Sequence, residues 1–370
     1  MKKPTNIWII FCLQAFLFLS SALAVPTPNI LLIVSEDNGP EMSCYGEPFV
    51  KTPVLDRLAA EGIRFDRAYV PQAGCSQSRA AYLTGLYPHQ NGQIGLATWM
   101  FRMYREDTPN MVRSLKKAGY RTGIIGKLHV NPASAFPFDF KAVSESNFSR
   151  KKLSRYAEEA GRFFEAGKEP FFLSINYPDA HRPFIKSKAN LPAEPLTAEQ
   201  VKTMAYIGLE SEGLRQQVAD YYNCMARLDA LVGELLAKLK ASGKYDDTLI
   251  VYMGDHGADL IRGKRTCYEG GVRIPLIVRW PKGRAGQVRR DLVSTLDLFP
   301  TFLEVSGGES VPDLPGRSLL PLLRGDTPKW RKYMPTEYHL HSAHNYYPQR
   351  AIRNERYKLI ENLQPGEEDP

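Results

Sequence analysis

Apolar runs of strand length, each breaking off into polar residues, limit what this chain can fold into. They are "NILLIVS" (29–35), "RTGIIG" (121–126), "PFFLSINY" (170–177), "TLIVYMG" (248–254) and "PLIVRW" (275–280). Runs without alternation mark strands buried on both faces. Helical patterns lie between most of them. "TPVLDRLAAEG" (52–62) has a threonine at the cap, a proline in the first turn and a closing glycine. In 214–241, Val218, Tyr221, Met225, Leu228, Val232, Leu235 and Leu239 recur at spacings of three and four, the stripe of a core-facing helix. Strands alternating with helices predict an α/β fold, a mostly parallel central sheet flanked by helices, with ligands beyond the carboxyl ends of the strands.

Residues 1–24 carry Lys2 and Lys3, then "IWIIFCLQAFLFL", then small residues ending in Ala22-Leu23-Ala24, which predicts a secretory signal peptide. The run is short for a span, so an exported protein, periplasmic or secreted and without a membrane span after cleavage, is expected. The remaining length, with 43% hydrophobic and 24% charged residues overall, suits a large core. We expect a catalytic body over 25–330 and the start of a small antiparallel C-terminal subdomain over 331–370. The Gly- and Pro-rich segment 306–335 should cross the surface. "RAIRNERYKLIEN" (350–362) reads as two short strands around a tight turn.

The chain has 48 Lys and Arg against 40 Asp and Glu, a net charge of +8, of which Lys2 and Lys3 belong to the leader. This mild bias suits anionic partners such as a sulfated polysaccharide or nucleic acid, but scattered surface Lys and Arg explain it equally well, and no nucleic acid partner is expected. Outside the leader, Cys44, Cys75, Cys224 and Cys267 form neither a CxxC pair nor a dense framework, so neither zinc nor a disulfide scaffold is indicated.

The polar residues are placed more tellingly. "LLIVSEDN" sets Glu36 and Asp37 directly after one strand, and "LIVYMGDHG" sets Asp255 and His256 directly after another. In a parallel sheet both pairs converge at one edge, giving three carboxylates and an imidazole around a hard cation, for which calcium fits better than zinc. Lys127 and His129 follow a third strand, His181 a fourth, and Lys264 lies in the loop after Asp255. Singly, such residues are usually solvated; together they supply the cations and proton donors of an anion hydrolase. Cys75 and Arg79 lie four places apart in "GCSQSRAAYLTG" (74–85), at the start of a helical pattern.

The segments "PNILLIVSEDNG", "CSQSRAAYLTGLYPHQNG", "GYRTGIIGKLHV", "YPDAHRPF", "GDHG" and "YEGGVRIPLIVRWP" resemble, in order, the motifs of sulfatases of the alkaline-phosphatase superfamily, from about 28 to 362. "LTGLYPHQNG" and "GIIGKLHVNPASAFPFDF" are most similar to the sulfamidase (heparan N-sulfatase) branch. The resemblance implies that Cys75 is converted to formylglycine by a formylglycine-generating or sulfatase-maturing enzyme, and that Glu36, Asp37, Asp255, His256 and modified Cys75 hold Ca²⁺. It further implies that Arg79 and His129 support the hydrated aldehyde, that Lys127 and Lys264 neutralise sulfate oxygens, and that His181 protonates the leaving atom. The substrate implied is a sulfated carbohydrate. "EYHLHSAHNYY" (337–347) then reads as a loop, either lining the sugar cleft or plain surface.

Three positions depart from the family pattern: Gln77 stands where Cys-x-Pro-x-Arg has proline, Glu36 where aspartate is usual, and His256 where asparagine is frequent. Two other functions use the same residues, a phosphate or phosphonate ester hydrolase and an inactive sulfated-glycan-binding homologue. Asn147-Phe148-Ser149 matches the glycosylation pattern.

Overall fold

The computed structural model describes residues 27–344, 346–364 and 366; the expected leader lies outside them. Among the described residues a nine-stranded sheet runs through the body. Its strands are β1 (Asn29–Ser35), β2 (Ile63–Tyr69), β3 (Arg121–Gly126), β4 (Phe140–Ala142), β5 (Phe171–Tyr177), β6 (Thr248–Gly254), β7 (Arg273–Arg279), β8 (Gln287–Arg289) and β9 (Val293–Ser294). They lie side by side as β4-β3-β5-β1-β6-β7-β2-β8, with β9 also against β2. The half from β4 to β6 is parallel, whereas β7 runs antiparallel to both its neighbours.

The unbroken apolar strands have the predicted cause. Along β1, Ile30, Leu32 and Val34 enter one core while Leu31 and Ile33 enter the other, all fully buried. Each such side chain contributes roughly 1.5–3 kcal/mol by leaving water. Helices α2 (Cys75–Thr84), α3 (Met111–Lys117) and α6 (Leu298–Ser306) cover the first face, and α1 (Pro53–Glu61), α4 (Ser154–Glu165) and α5 (Glu212–Ala241) the second. All seven stripe residues of α5 are buried, as their spacing predicts.

Local reading misplaces one cap. Thr52 makes no side-chain cap to α1. The carboxylate of Asp229, on α5, accepts from the Val54 and Leu55 amides at 3.1 and 2.8 Å, so a residue distant in the chain fills the role. The glycosylation pattern is also misleading: Asn147 is buried, and its side-chain oxygen accepts from the Lys151 amide at 3.1 Å.

A separate three-stranded antiparallel sheet, β10 (Met334–Leu340), β11 (Tyr346–Arg353) and β12 (Lys358–Asn362), follows. The two strands and turn expected in 350–362 are β11 and β12. The expected loop from 337 is instead mostly strand, because its polar residues have partners. Both Glu337 oxygens are engaged by His89: one lies 2.6 Å from His89 Nδ1 and the other accepts from the His89 amide at 3.0 Å. His339 lies 3.2 Å from the same carboxylate. The sheet is stitched to the body by Glu337 N donating to Pro71 O and Leu96 N to His341 O. No helix among the described residues is long and apolar enough to cross a membrane.

Candidate active site

Register decides where the polar residues meet. Ser35, the last residue of β1, lies opposite Tyr177 of β5 and Gly254 of β6, and Gly126 of β3 lies opposite Asn176. Four strands therefore end at one level, and the residues that follow them, Glu36-Asp37, Lys127, Pro178 onward and Asp255-His256, emerge together. Backbone bonds lock the level: Glu36 N donates to Tyr177 O and Asp179 O, and Asp255 N to Ser35 O. Asp37 N then donates to Asp255 Oδ1 at 2.9 Å, joining the two acidic pairs directly.

Cys75 opens α2, whose ten residues are all buried. Its Sγ lies 3.4 Å from His256 Nε2 and 4.0 Å from Asp37 Oδ1. The N-terminal amides of α2 point toward the same volume, where their partial positive charge favours an anion. One turn on, Arg79 is fully buried. Its Nη1 donates to Lys127 O and Asn176 Oδ1 at 2.9 and 2.7 Å, while Nη2 lies 3.1 Å from Asp255 and 3.5 Å from Glu36. Lys127 Nζ reaches Glu36 at 2.8 Å and Lys264 Nζ reaches Asp37 at 3.0 Å.

Burial is costly for so many charges, and they are arranged to compensate one another. Burial pushes Glu36 upward while Lys127 and Arg79 pull it back. Burial would also raise the Cys75 thiol, but Lys127, Lys264 and His256 hold it well below its usual range. His256 is lowered by burial yet reaches about 9 through Asp255 and Asp37. Its Nδ1 lies 2.9 Å from Gly257 O and so carries a proton, leaving Nε2 to face Cys75 and Asp37.

Two further imidazoles flank the thiol with opposite tendencies. Burial holds His129 below its ordinary value, partly offset by Cys75, and its Nε2 lies 2.7 Å from Thr98 Oγ1. His181 is raised: burial opposes, but Asp37 and Cys75 outweigh it. Its Nδ1 lies 2.6 Å from Arg182 O, and its ring stacks on Phe148 at 3.9 Å. A cleft of about 610 Å³, lined by Thr98, Lys127, His129 and Lys141, opens beside this group.

The residues fit a hard divalent cation. Ligand atoms of Asp37, Cys75, Asp255 and His256 lie within 4.8 Å of one another, and Glu36, Asp37, Cys75 and His181 form an overlapping group. Glu36 Oε1 and Asp255 Oδ2 are buried and make no hydrogen bond, their contact being the Arg79 guanidinium at 3.5 and 3.1 Å, so both keep lone pairs that a cation could use. The donor set is mainly carboxylate oxygen, the chemistry of calcium or magnesium rather than zinc.

All ten residues singled out from the sequence thus come together. Sequence reasoning missed those that hold them. Asn176 fixes Arg79, and its polar side chain inside an apolar strand is a usable signal. Ser78 Oγ donates to Asp255 O, tying α2 to the end of β6. Buried Asp179 is gripped by Arg227 at 2.6 and 2.8 Å and by Arg150 at 3.0 Å. Arg150 also donates to the carbonyls of Pro178 and His181, which fixes the His181 backbone. No local pattern announces that trio.

Comparison with known proteins assigns the chain to a family. The sulfatase family pattern matches residues 28–308, and that of the N-sulphoglucosamine sulphohydrolase C-terminal region matches 254–368. The chain is 32% identical to human N-sulphoglucosamine sulphohydrolase, the match covering 95% of this chain and 76% of that protein. It is 30% identical to an ulvan-active sulfatase of Formosa agariphila, with 93% and 67% covered. A solved complex of a protein with its substrate D-glucosamine-2-N,6-O-disulfate superposes with a TM-score of 0.76 at 25% identity, covering 92% of this chain and 90% of that one. The phosphonate monoester hydrolase of Agrobacterium radiobacter shares the fold, with a TM-score of 0.71 at 22% identity and coverages of 90% and 87%. The chain belongs to the sulfatase family, whose members are sulfuric ester hydrolases.

Proposed function

We propose that this chain is an exported, calcium-dependent sulfatase that removes sulfate from a sulfated carbohydrate by S–O or S–N cleavage, with formylglycine made from Cys75 as its nucleophile. The observation that carries the reading is the Cys75 sulfur at the mouth of a buried helix, 3.4 Å from His256 and ringed by three carboxylates and three permanent cations. The relatives named for N-sulphoglucosamine and ulvan support a sulfated glycan as substrate. Export rests on the sequence of residues 1–24.

Glu36, Asp37, Asp255 and His256, with modified Cys75, would hold the cation, and bound Ca²⁺ supplies a fixed positive charge that polarises a sulfate oxygen. Hydrated formylglycine carries two hydroxyls on one carbon, one to attack sulfur and a second whose deprotonation expels sulfate; a thiol or serine lacks the second.

This chain's own groups do the rest. Three carboxylates balance Arg79, Lys127 and Lys264, so the dication leaves the pocket positive and suited to an anionic group. Lys127 and Lys264 reach in from opposite acids and are placed to take two sulfate oxygens. Arg79 cannot swing out, since Lys127 O and Asn176 fix its other edge. His181, raised toward its protonated form and oriented through Nδ1, offers Nε2 as the acid for the leaving oxygen or nitrogen. His129, held toward neutrality, is suited to accept a proton from the hydrate.

Mass spectrometry of the peptide containing Cys75, with a sulfate-release assay on defined sulfated saccharides, tests this. The expected result is the formylglycine mass together with release. Active protein carrying an unmodified thiol would overturn the mechanism, and faster turnover of a matched aryl phosphate would move the reading to phosphate esters.

A further inference from the structure

A second cleft, of about 840 Å³, shares no residue with the site around Cys75. One wall is the body of the protein at Arg67 and Arg290. The other wall belongs to the C-terminal sheet: the segment entering β10, with Lys332 and Tyr333, and the β11–β12 turn, with Arg356 and Tyr357. The turn is held by the Asn354 side chain, which accepts from the Arg356 and Tyr357 amides at 2.8 and 2.7 Å.

Two properties of the cleft are unusual together. Its lining carries five basic residues against two acidic ones. Some are committed: Arg331 is bound to Asp297 at 2.5 Å and Arg67 lies 3.4 Å from Glu355. Arg290 is highly exposed and lies 3.7 Å from Asp66, while Lys332 and Arg356 are both exposed. The aromatic rings are equally available: Tyr333 and Tyr357 are 58% and 64% exposed, where rings of this size are normally covered. The Arg356 guanidinium lies 5.1 Å from the centre of the Tyr357 ring, so cation and ring sit side by side.

Flat rings interleaved with cations match a polymer that alternates apolar sugar faces with sulfate groups. Carbohydrate rings stack on aromatic faces, and exposed Arg and Lys take sulfate oxygens. We infer that this cleft is an accessory subsite that holds a sulfated polysaccharide chain away from the reacting residue. The inference rests on the glycan-sulfatase reading for the identity of the polymer. Each cation–sulfate contact in such an open place is weak and salt-sensitive, so the subsite acts through several contacts on one chain.

The variants K332A/R356A and Y333A/Y357A test it in the full protein, since all four side chains are exposed and none lies in the reacting pocket. Affinity electrophoresis through gels containing heparin should retard the wild type and not the variants, with retardation lost at high salt. With a sulfated polysaccharide as substrate KM should rise about three- to tenfold with kcat kept, whereas kinetics on a sulfated monosaccharide should not change. Equal retardation of variants and wild type would overturn the subsite. Single-stranded DNA retarded as strongly through the same residues would overturn the glycan assignment. Absence of sulfate release would instead count against the chemistry at Cys75, because heparin retardation is read without turnover.

Discussion

The edge of the large sheet and the C-terminal sheet handle polarity in opposite ways. At the edge, Glu36, Asp37, Arg79, Asp255 and His256 are all 0% exposed, in a setting where an unpaired charge is severely penalised. On the C-terminal sheet, apolar Ile352 and Leu359, paired across β11 and β12, lie 45% and 67% exposed. The first region is therefore over-determined: register, helix start and ion pairs must agree at once, and each change disturbs several partners. The second is held mainly at its seam, through Glu337, Arg353 and Lys358, and its outer face is free to vary. The proposed chemistry falls where polarity is buried, and the proposed contact with a large ligand where apolar and cationic groups are left outside.

The largest expected effect is at the buried edge. Cys75→Ala should lower sulfate release by about 10³-fold or more with little change in fold, checked by steady-state assay and circular dichroism. His181→Ala should cost about 10²-fold on alkyl sulfates and much less on aryl sulfates, whose leaving groups need no proton. A uniform loss would break the assignment of an acid role. Arg79→Ala removes the buried cation that Glu36 and Asp255 share and should destabilise by roughly 3–5 kcal/mol in denaturant unfolding.

Smaller effects should come from the scaffold and the outer face. Asp229→Ala removes both acceptors at the α1 terminus, for about 1–2 kcal/mol. Burial lifts the Asp229 carboxyl to about 6 against the pull of the Leu55 and Val54 amides. Its folded value exceeds the ordinary 3.8, so its contribution is complete below that pH and fades as pH rises through about 6. Asp229→Asn should flatten that part of the stability profile. Leu359→Ser, on the outer face, should stay within about 0.5 kcal/mol of wild type. A loss comparable to that of Asp229→Ala would end the contrast between the two regions.

How far the sequence could be read follows the same division. Strands β1, β3, β5 and β6 were legible because burial on both faces writes an unbroken apolar run, and the acids after β1 and β6 were legible because they interrupt it. β2, "IRFDRAY", was not: three of its seven residues are only partly buried, so neither a run nor clean alternation appears. β10 looked like a loop because Glu337 and His339 are polar, and the reason they tolerate a strand, His89, lies far away in the chain. Asp179 with Arg150 and Arg227 is likewise a long-range arrangement. Gln77 was visible only as a departure from a motif. In the fold its Nε2 donates to Leu340 O at 2.8 Å, alongside Gln72, and so pins α2 to the C-terminal sheet.

That helix sets an order of events. The proposed maturing catalyst, handling Cys75, Gln77 and Arg79 as a strip of free chain, would need them unwrapped, yet in the finished protein all three are wound into a buried helix. On the proposed conversion of Cys75, oxidation of the thiol would have to win a race against collapse of the surrounding core. Slowing the appearance of the native state during synthesis should then increase the fraction of molecules that carry formylglycine, while a chain that folds quickly would seal its own precursor in, unconverted.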